Sequence, residues 1–82
     1  MPKLKVLSDK DIVKIFELFE FLVVGQKGSH IKLMRKSVDG FRQILTIPNH
    51  TELDKGTLKA IYNQSLKYVS EEKLREKFYL ND

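Results

Sequence analysis

The stretch His30–Lys36, HIKLMRK, carries the clearest structural signal in this sequence. Side chains of a β-strand point alternately to its two faces, so this stretch predicts a strand with Ile31 and Leu33 on one face. The opposite face then carries His30, Lys32, Met34 and Lys36. We therefore expect an amphipathic strand whose apolar face packs on a core and whose basic face does not.

The residues that follow complete an antiparallel hairpin. Val38-Asp39-Gly40 has the composition of a hairpin turn. The run Phe41–Ile47 predicts a second strand, which should end at Pro48 because proline has no N–H to donate to a strand ladder.

The residues before the hairpin predict a helix and a further strand. Ser8 is a typical N-cap and Asp11 follows it at the capping-box spacing, so a helix should begin near Asp9. The apolar positions of this helix recur three and four residues apart, on Ile12, Ile15, Phe16 and Phe19. The β-branched and aromatic run Phe21–Val24 predicts a strand, and Lys27-Gly28-Ser29 predicts the tight turn after it.

Two helices are predicted after the hairpin. Asp54 can cap a helix from Lys55 to about Tyr68, and Ser70 precedes a short helix. Leu74 and Phe78 are the expected anchors of the short helix. The order predicts an α+β two-layer sandwich in which both main helices cover one face of a three-stranded antiparallel sheet. The other face stays open, and we expect it to carry His30, Lys32, Arg42 and Thr46.

The positive charge of the chain is concentrated in its middle. The 82 residues carry a net charge of +4. Residues 26–60 hold seven Lys and Arg against three Asp and Glu, whereas residues 1–25 and 61–82 each hold four of both kinds. Such a basic segment fits a surface that binds a polyanion, although it also fits an ordinary solvated face.

The composition excludes several classes of protein. The absence of Cys removes disulfides, thiolate metal sites and a cysteine nucleophile, and two histidines make a poor metal site. The longest apolar run, Phe21–Val24, is far below the roughly 20 residues that span a bilayer, and the first residues lack a signal-peptide core. We expect a cytoplasmic protein with one domain over residues 1–82, no membrane contact, no metal and no small-molecule cofactor.

Candidate chemistry is limited to Lys27-Gly28-Ser29-His30. Gly28 has no Cβ, so a phosphate can approach the backbone there, and the Ser29 hydroxyl can donate to it. A histidine ordinarily titrates near pH 6.5 and can therefore accept and release a proton near neutrality. His30 could take the proton of an RNA 2′-hydroxyl while Lys27 or Lys32 stabilises the developing charge. A surface histidine at the start of a strand explains the same residue without chemistry.

The sequence resembles the HicA-type toxins, small messenger-RNA interferases of toxin–antitoxin pairs. The resemblance covers nearly the whole chain, and its core is Gly28-Ser29-His30. The other matching segments are Met1-Pro2-Lys3, Leu7-Ser8, Gln26-Lys27, Ile47-Pro48-Asn49-His50 and Lys55-Gly56-Thr57-Leu58 through Ile61.

The resemblance implies a double-stranded-RNA-binding-domain-like fold and a metal-independent endoribonuclease. His30 would be catalytic, and Gly28 and Ser29 would shape its turn. The substrate would be single-stranded mRNA, and a HicB-type antitoxin would cover His30 and the basic face. The residues expected to contact RNA are Lys27, Gly28, Ser29, Lys32, Arg35 and Arg42.

The chain departs from the family pattern in two places. Family members commonly have Gly before the aromatic residue that opens the first strand, where this chain has Glu20-Phe21, so the turn there is expected to differ. The Ala-Gly turn expected after the second helix is replaced by Ser65–Val69, which favours a longer helix. His50 is expected to order a loop rather than to take part in catalysis.

Two other functions fit the same residues. The chain can be an RNA-binding module on this fold without catalytic activity, or a protein-interaction domain whose charge serves a partner. A steep loss of RNA affinity with added salt would favour RNA over a protein partner.

Overall fold

The computed structural model describes residues 3–80, so Met1 and Pro2 of the resemblance lie outside the described residues. The elements in chain order are β1 (Lys3–Leu4), α1 (Asp9–Leu18), β2 (Leu22–Lys27), β3 (His30–Lys36), β4 (Arg42–Pro48), α2 (Lys55–Ser65), α3 (Glu71–Phe78) and β5 (Tyr79–Leu80). The predicted α+β order of one helix, three strands and two helices is confirmed. It is compatible with the double-stranded-RNA-binding-domain-like arrangement.

Helix α1 begins where its capping residues predict. Asp11 donates its backbone N–H to the Ser8 hydroxyl at 3.1 Å, and the Asp11 carboxylate accepts the Ser8 N–H at 2.9 Å. Hydrogen bonds from the backbone and then the side chain of Ser8 lower the pKa of Asp11, because they stabilise the carboxylate. Ile12 and Phe16 are fully buried, so the predicted apolar stripe faces the core.

The sheet has the order β2-β3-β4, with every neighbouring pair antiparallel. Strand β2 is longer than the predicted run Phe21–Val24. It starts after the buried Phe21 and continues past an irregularity between Val23 and Gly25 until Lys27 pairs with His30. The extra residues belong to the strand because the bulge lets pairing with β3 resume beyond Val23.

Pro48 is the last residue of β4, whereas the sequence predicts a strand that ends before it. Pro48 pairs with His30 across the sheet. Proline is tolerated there because β4 is an edge strand and ends at this point. Phe41, predicted to open the strand, lies outside it and is exposed.

Helix α2 ends at Ser65, and the prediction that it reaches about Tyr68 is wrong. The buried Ser65 hydroxyl donates to the Tyr62 carbonyl at 2.8 Å. The Ser65 carbonyl accepts the N–H groups of Tyr68 and Val69, both at 2.9 Å, which makes a tight turn. This turn buries Val69 and directs the chain into α3, whose predicted anchors Leu74 and Phe78 are fully buried.

The helices and the sheet enclose one core, to which β1 and β5 add a small antiparallel pair that the sequence did not predict. On the helix side of the sheet, Leu33, Leu45 and Ile47 are fully buried. The opposite side of the sheet has no layer over it among residues 3–80. No helix in this part of the chain is long and apolar enough to cross a membrane.

Candidate RNA-binding face and His30

His30 stands at the start of β3, directly after a tight two-residue turn. The turn consists of Gly28 and Ser29, because Lys27 already pairs with His30. Gly28 has φ 58°, which fits the type II′ requirement for glycine at the first central position. A Cβ there would meet no atom within 4 Å, so the backbone conformation rather than lack of space favours glycine.

The turn is anchored to the neighbouring strand end. Asn49 donates its backbone N–H to the Ser29 carbonyl at 2.6 Å, just beyond the pairing of His30 with Pro48. His30 is therefore held between β2 and β4 by backbone contacts on both sides. Its own side chain is exposed.

The alternation of β3 directs His30 and Lys32 to the open face, as predicted. Ile31 and Leu33 point to the core, at 9% and 0% relative exposure, so the residues between and before them point away from it. Thr46 lies opposite Lys32, and Lys27 lies opposite His30. Together with Gly25 and Gln26, these side chains line an open depression of about 400 Å³.

The charged residues that the strands place on the open face are all basic, namely Lys27, Lys32, Lys36 and Arg42. The three strands contain five Lys and Arg and no Asp or Glu. Lys36 lies opposite Arg42 at the far end of the face, and both are exposed. A face with one sign of charge attracts polyanions and repels surfaces of the same sign.

Arg35 is not on this face, although the sequence predicts it to contact RNA. Its guanidinium donates to the Phe19 carbonyl at 2.9 Å, the Tyr68 carbonyl at 2.8 Å and the Gln43 Oε1 atom at 2.7 Å. It also lies over the Phe21 ring, 4.7 Å from the ring centroid. These contacts hold Arg35 on the helix-covered side, where it joins α1, β4 and the α2–α3 turn.

His50 lies in the loop after β4. Its backbone carbonyl accepts the N–H of Asp9 at 3.0 Å, which ties the loop to the start of α1. The contact is made by the backbone, so the loop-ordering role of the His50 side chain stays a prediction. Hydrogen bonds from the Thr57 side chain and backbone lower the pKa of Asp54, with a smaller attractive contribution from His50.

Glu20 explains the first departure from the family pattern. Its backbone has φ 72°, the left-handed conformation that glycine adopts without strain. The turn between α1 and β2 therefore has a backbone conformation that favours glycine, although the residue there is Glu20.

Three aliphatic side chains also lie on the open face. Met34 is opposite both Leu22 and Ile44, and opposite residues share a face. The periodicity of β3 predicts Met34 there. Alternation with Arg42 and Thr46 in β4 puts Ile44 there too, whereas the position of Leu22 and the alignment of all three depend on the cross-strand register.

No group of three or more His, Asp or Glu side chains within residues 3–80 is placed to hold a metal ion.

The fold and the open face define a small α+β protein with a one-sided basic sheet and a histidine at its turn. Residues 10–66 match the family model described as the HicA toxin of bacterial toxin–antitoxin. The match contains α2, all three strands of the sheet and the Gly28-Ser29-His30 turn.

The chain belongs to the HicA toxin family of bacterial toxin–antitoxin systems. Membership supports a toxin role and implies an antitoxin partner. No curated protein and no solved structure matches the chain.

Proposed function

We propose that this toxin is a cytoplasmic, metal-independent endoribonuclease that cuts mRNA, with His30 as its general acid and base. The observation that carries the proposal is the position of His30. It lies exposed at a tight turn, at one end of a sheet face that carries four Lys and Arg and no carboxylate in its strands.

The proposed reaction uses the nucleophile that RNA itself contains. His30 accepts the proton of a 2′-hydroxyl, and the 2′-oxygen forms a bond to the adjacent phosphorus while the bond to the 5′-oxygen breaks. The imidazolium, or a water in exchange with it, returns a proton to the leaving oxygen. The products are a 2′,3′-cyclic phosphate and a 5′-hydroxyl, so atoms and charge balance without a metal or another reactant.

The basic side chains near His30 suit the two remaining tasks, which are binding and charge stabilisation. Lys27 is the cross-strand neighbour of His30 and Lys32 is the next open-face residue of β3, about 7 Å further along the strand. Both can donate to phosphate oxygens as negative charge grows on them. The Gly28 and Ser29 amides and the Ser29 hydroxyl offer further donors, and Arg42 extends the binding face.

Arg35 is left out of this proposed interface because its guanidinium has three partners on the other side of the sheet. We further propose that residues 1–82 act as a single HicA-like domain. The family match ends at residue 66, but Leu74 and Phe78 of α3 are fully buried in the same core. A HicB-type antitoxin is the proposed partner.

The test is cleavage of a single-stranded RNA by the wild type, His30→Ala and His50→Ala in excess chelator. His50→Ala is the matched control, because it removes the other histidine of the chain. The wild type and His50→Ala should cut, and His30→Ala should lose about 10²- to 10⁴-fold in rate. DNA of the same sequence should stay intact because it lacks the 2′-hydroxyl.

Equal cleavage by wild type and His30→Ala would contradict the role of His30. Binding of RNA by the wild type with no cleavage would instead support the non-catalytic RNA-binding module. The cut ends provide a second check, since a 2′,3′-cyclic phosphate is expected and a 5′-phosphate would contradict the mechanism.

A further inference from the structure

An aliphatic row crosses the open basic face of the sheet. Leu22 lies opposite Met34, and Met34 lies opposite Ile44. We call these three residues the apolar row. Leu22 is 65% exposed, and Met34 and Ile44 are half-buried with nothing above them among residues 3–80. The row spans two strand spacings, about 10 Å.

Basic residues lie on both sides of the apolar row. Lys32 and His30 continue the open face of β3 in one direction, and Lys36 continues it in the other. Arg42 lies opposite Lys36, on the same side of the row. The face therefore has a basic end, an apolar middle and a second basic end.

The chemistry of the row favours a protein over a nucleic acid. Bases bound without pairing usually stack on aromatic side chains, and none of the three strands contains Phe, Tyr or Trp. Aliphatic side chains gain most when apolar side chains cover them. The flanking Lys and Arg favour a covering surface that also carries carboxylates.

The open face of a second copy of this chain does not provide such carboxylates. The open face carries no carboxylate in its strands, so two such faces would bring like charges together. The fitting occupant is an acidic protein surface with apolar side chains at its centre and Asp or Glu on both sides.

We propose that the apolar row anchors the acidic antitoxin of this pair, whereas RNA cleavage depends on the basic end around His30, with Arg42 beyond the row as an additional phosphate contact. The part of this proposal that concerns RNA rests on the proposed function. His30 lies four residues from Met34, about 13 Å along β3. A protein seated on the row therefore covers His30 by overlap and needs no direct bond to it.

The test separates antitoxin binding from RNA cleavage with Leu22→Ser and Ile44→Thr. The probe is the antitoxin of this pair, expected to be an acidic protein encoded by the reading frame adjacent to that of this chain, titrated by calorimetry. Each variant should lose about 10- to 100-fold in affinity for it, as expected for one buried aliphatic side chain. RNA cleavage should stay within about two-fold of the wild type, because neither side chain belongs to the groups at Lys27, His30 and Lys32 that act on the scissile phosphate.

Two further variants serve as controls. Val38→Ser removes an equally apolar, fully exposed side chain at the hairpin tip and should change neither measurement. Lys32→Ala should show the opposite pattern, with a loss of RNA affinity that exceeds its loss of antitoxin affinity. Thermal unfolding of every variant verifies that each one is folded.

Three results would overturn the division of the face. One is wild-type antitoxin affinity in both row variants, and another is an equal loss of RNA cleavage and antitoxin affinity, which would assign the row to RNA. The third is a wild type that does not bind the adjacent acidic protein. A wild type that binds the antitoxin but cuts no RNA would contradict only the proposed ribonuclease activity. The calorimetric comparison of the variants with the wild type would still show whether the apolar row binds the antitoxin.

Discussion

Replacement of Arg35 by Ala should destabilise the fold instead of weakening RNA binding directly. The guanidinium donates to the Phe19 carbonyl at the end of α1, to the Tyr68 carbonyl in the α2–α3 turn and to Gln43 of β4, at 2.7 to 2.9 Å. It also covers the buried Phe21 ring. One side chain therefore joins segments that are far apart in sequence.

The expected decrease in the free energy of unfolding follows from these contacts. A hydrogen bond to a charged group contributes about 1.5–3 kcal/mol, and a partly desolvated cation–π contact adds about 0.5–2 kcal/mol. The three bonds share one side chain and are not additive, and water can reach a half-buried site. We therefore expect Arg35→Ala to lower the free energy of unfolding by about 2–4 kcal/mol, which for a domain of this size lowers the Tm by roughly 10–30 °C.

Thermal and urea unfolding measure this loss directly. Arg35→Lys should lose most of the same stability, because one ammonium group cannot span three acceptors. Arg42→Ala is the matched control on the open face, and its free energy of unfolding should stay within about 0.5 kcal/mol of the wild type. An Arg35→Ala protein with wild-type Tm and reduced RNA affinity would contradict this structural role and place the guanidinium on the RNA.

Two other residues lead to further predictions. Glu20→Gly should raise the free energy of unfolding by about 0.5–1 kcal/mol, because the exposed Glu20 has φ 72° and glycine adopts this conformation without strain. Lys14→Gly, a control within α1, should instead destabilise, and a lower Tm for Glu20→Gly would contradict the prediction. Burial, and then the hydrogen bond to Glu71, raises the pKa of Tyr62 to about 12. Since an unfolded tyrosine titrates near pH 10, the contribution of Tyr62 to stability is complete below about pH 10 and is lost as the pH rises through about 12. An absorbance titration should show a phenol that ionises near pH 12 in the wild type but not in Tyr62→Phe, and identical curves would be evidence against the assignment.

Local patterns predicted most of the helices and strands. The capping box of Ser8 and Asp11 predicted the start of α1, and the anchors Leu74 and Phe78 predicted α3. These signals depend on residues that are three or four positions apart, so they are readable without the fold. The end of α2 was not readable in this way, because the turn at Ser65 depends on how Val69 packs in the core.

The candidate site was predicted in part. Alternation in β3 placed His30 and Lys32 correctly on the open face, and the turn at Gly28 was expected. Arg35 was expected to contact RNA because it lies in the same basic stretch. Alternation alone puts it on the helix side, and only the fold supplies the carbonyls of Phe19 and Tyr68 as its partners.

Residue order alone is enough to predict the two faces of β3 and the concentration of positive charge in the sheet. Both are set by residue order, because strand side chains alternate and the strands contain no acid. The pairing of β1 with β5 and the alignment of Leu22, Met34 and Ile44 into one row follow only from the folded chain. Those features depend on contacts between distant residues, which the packing of the whole core determines.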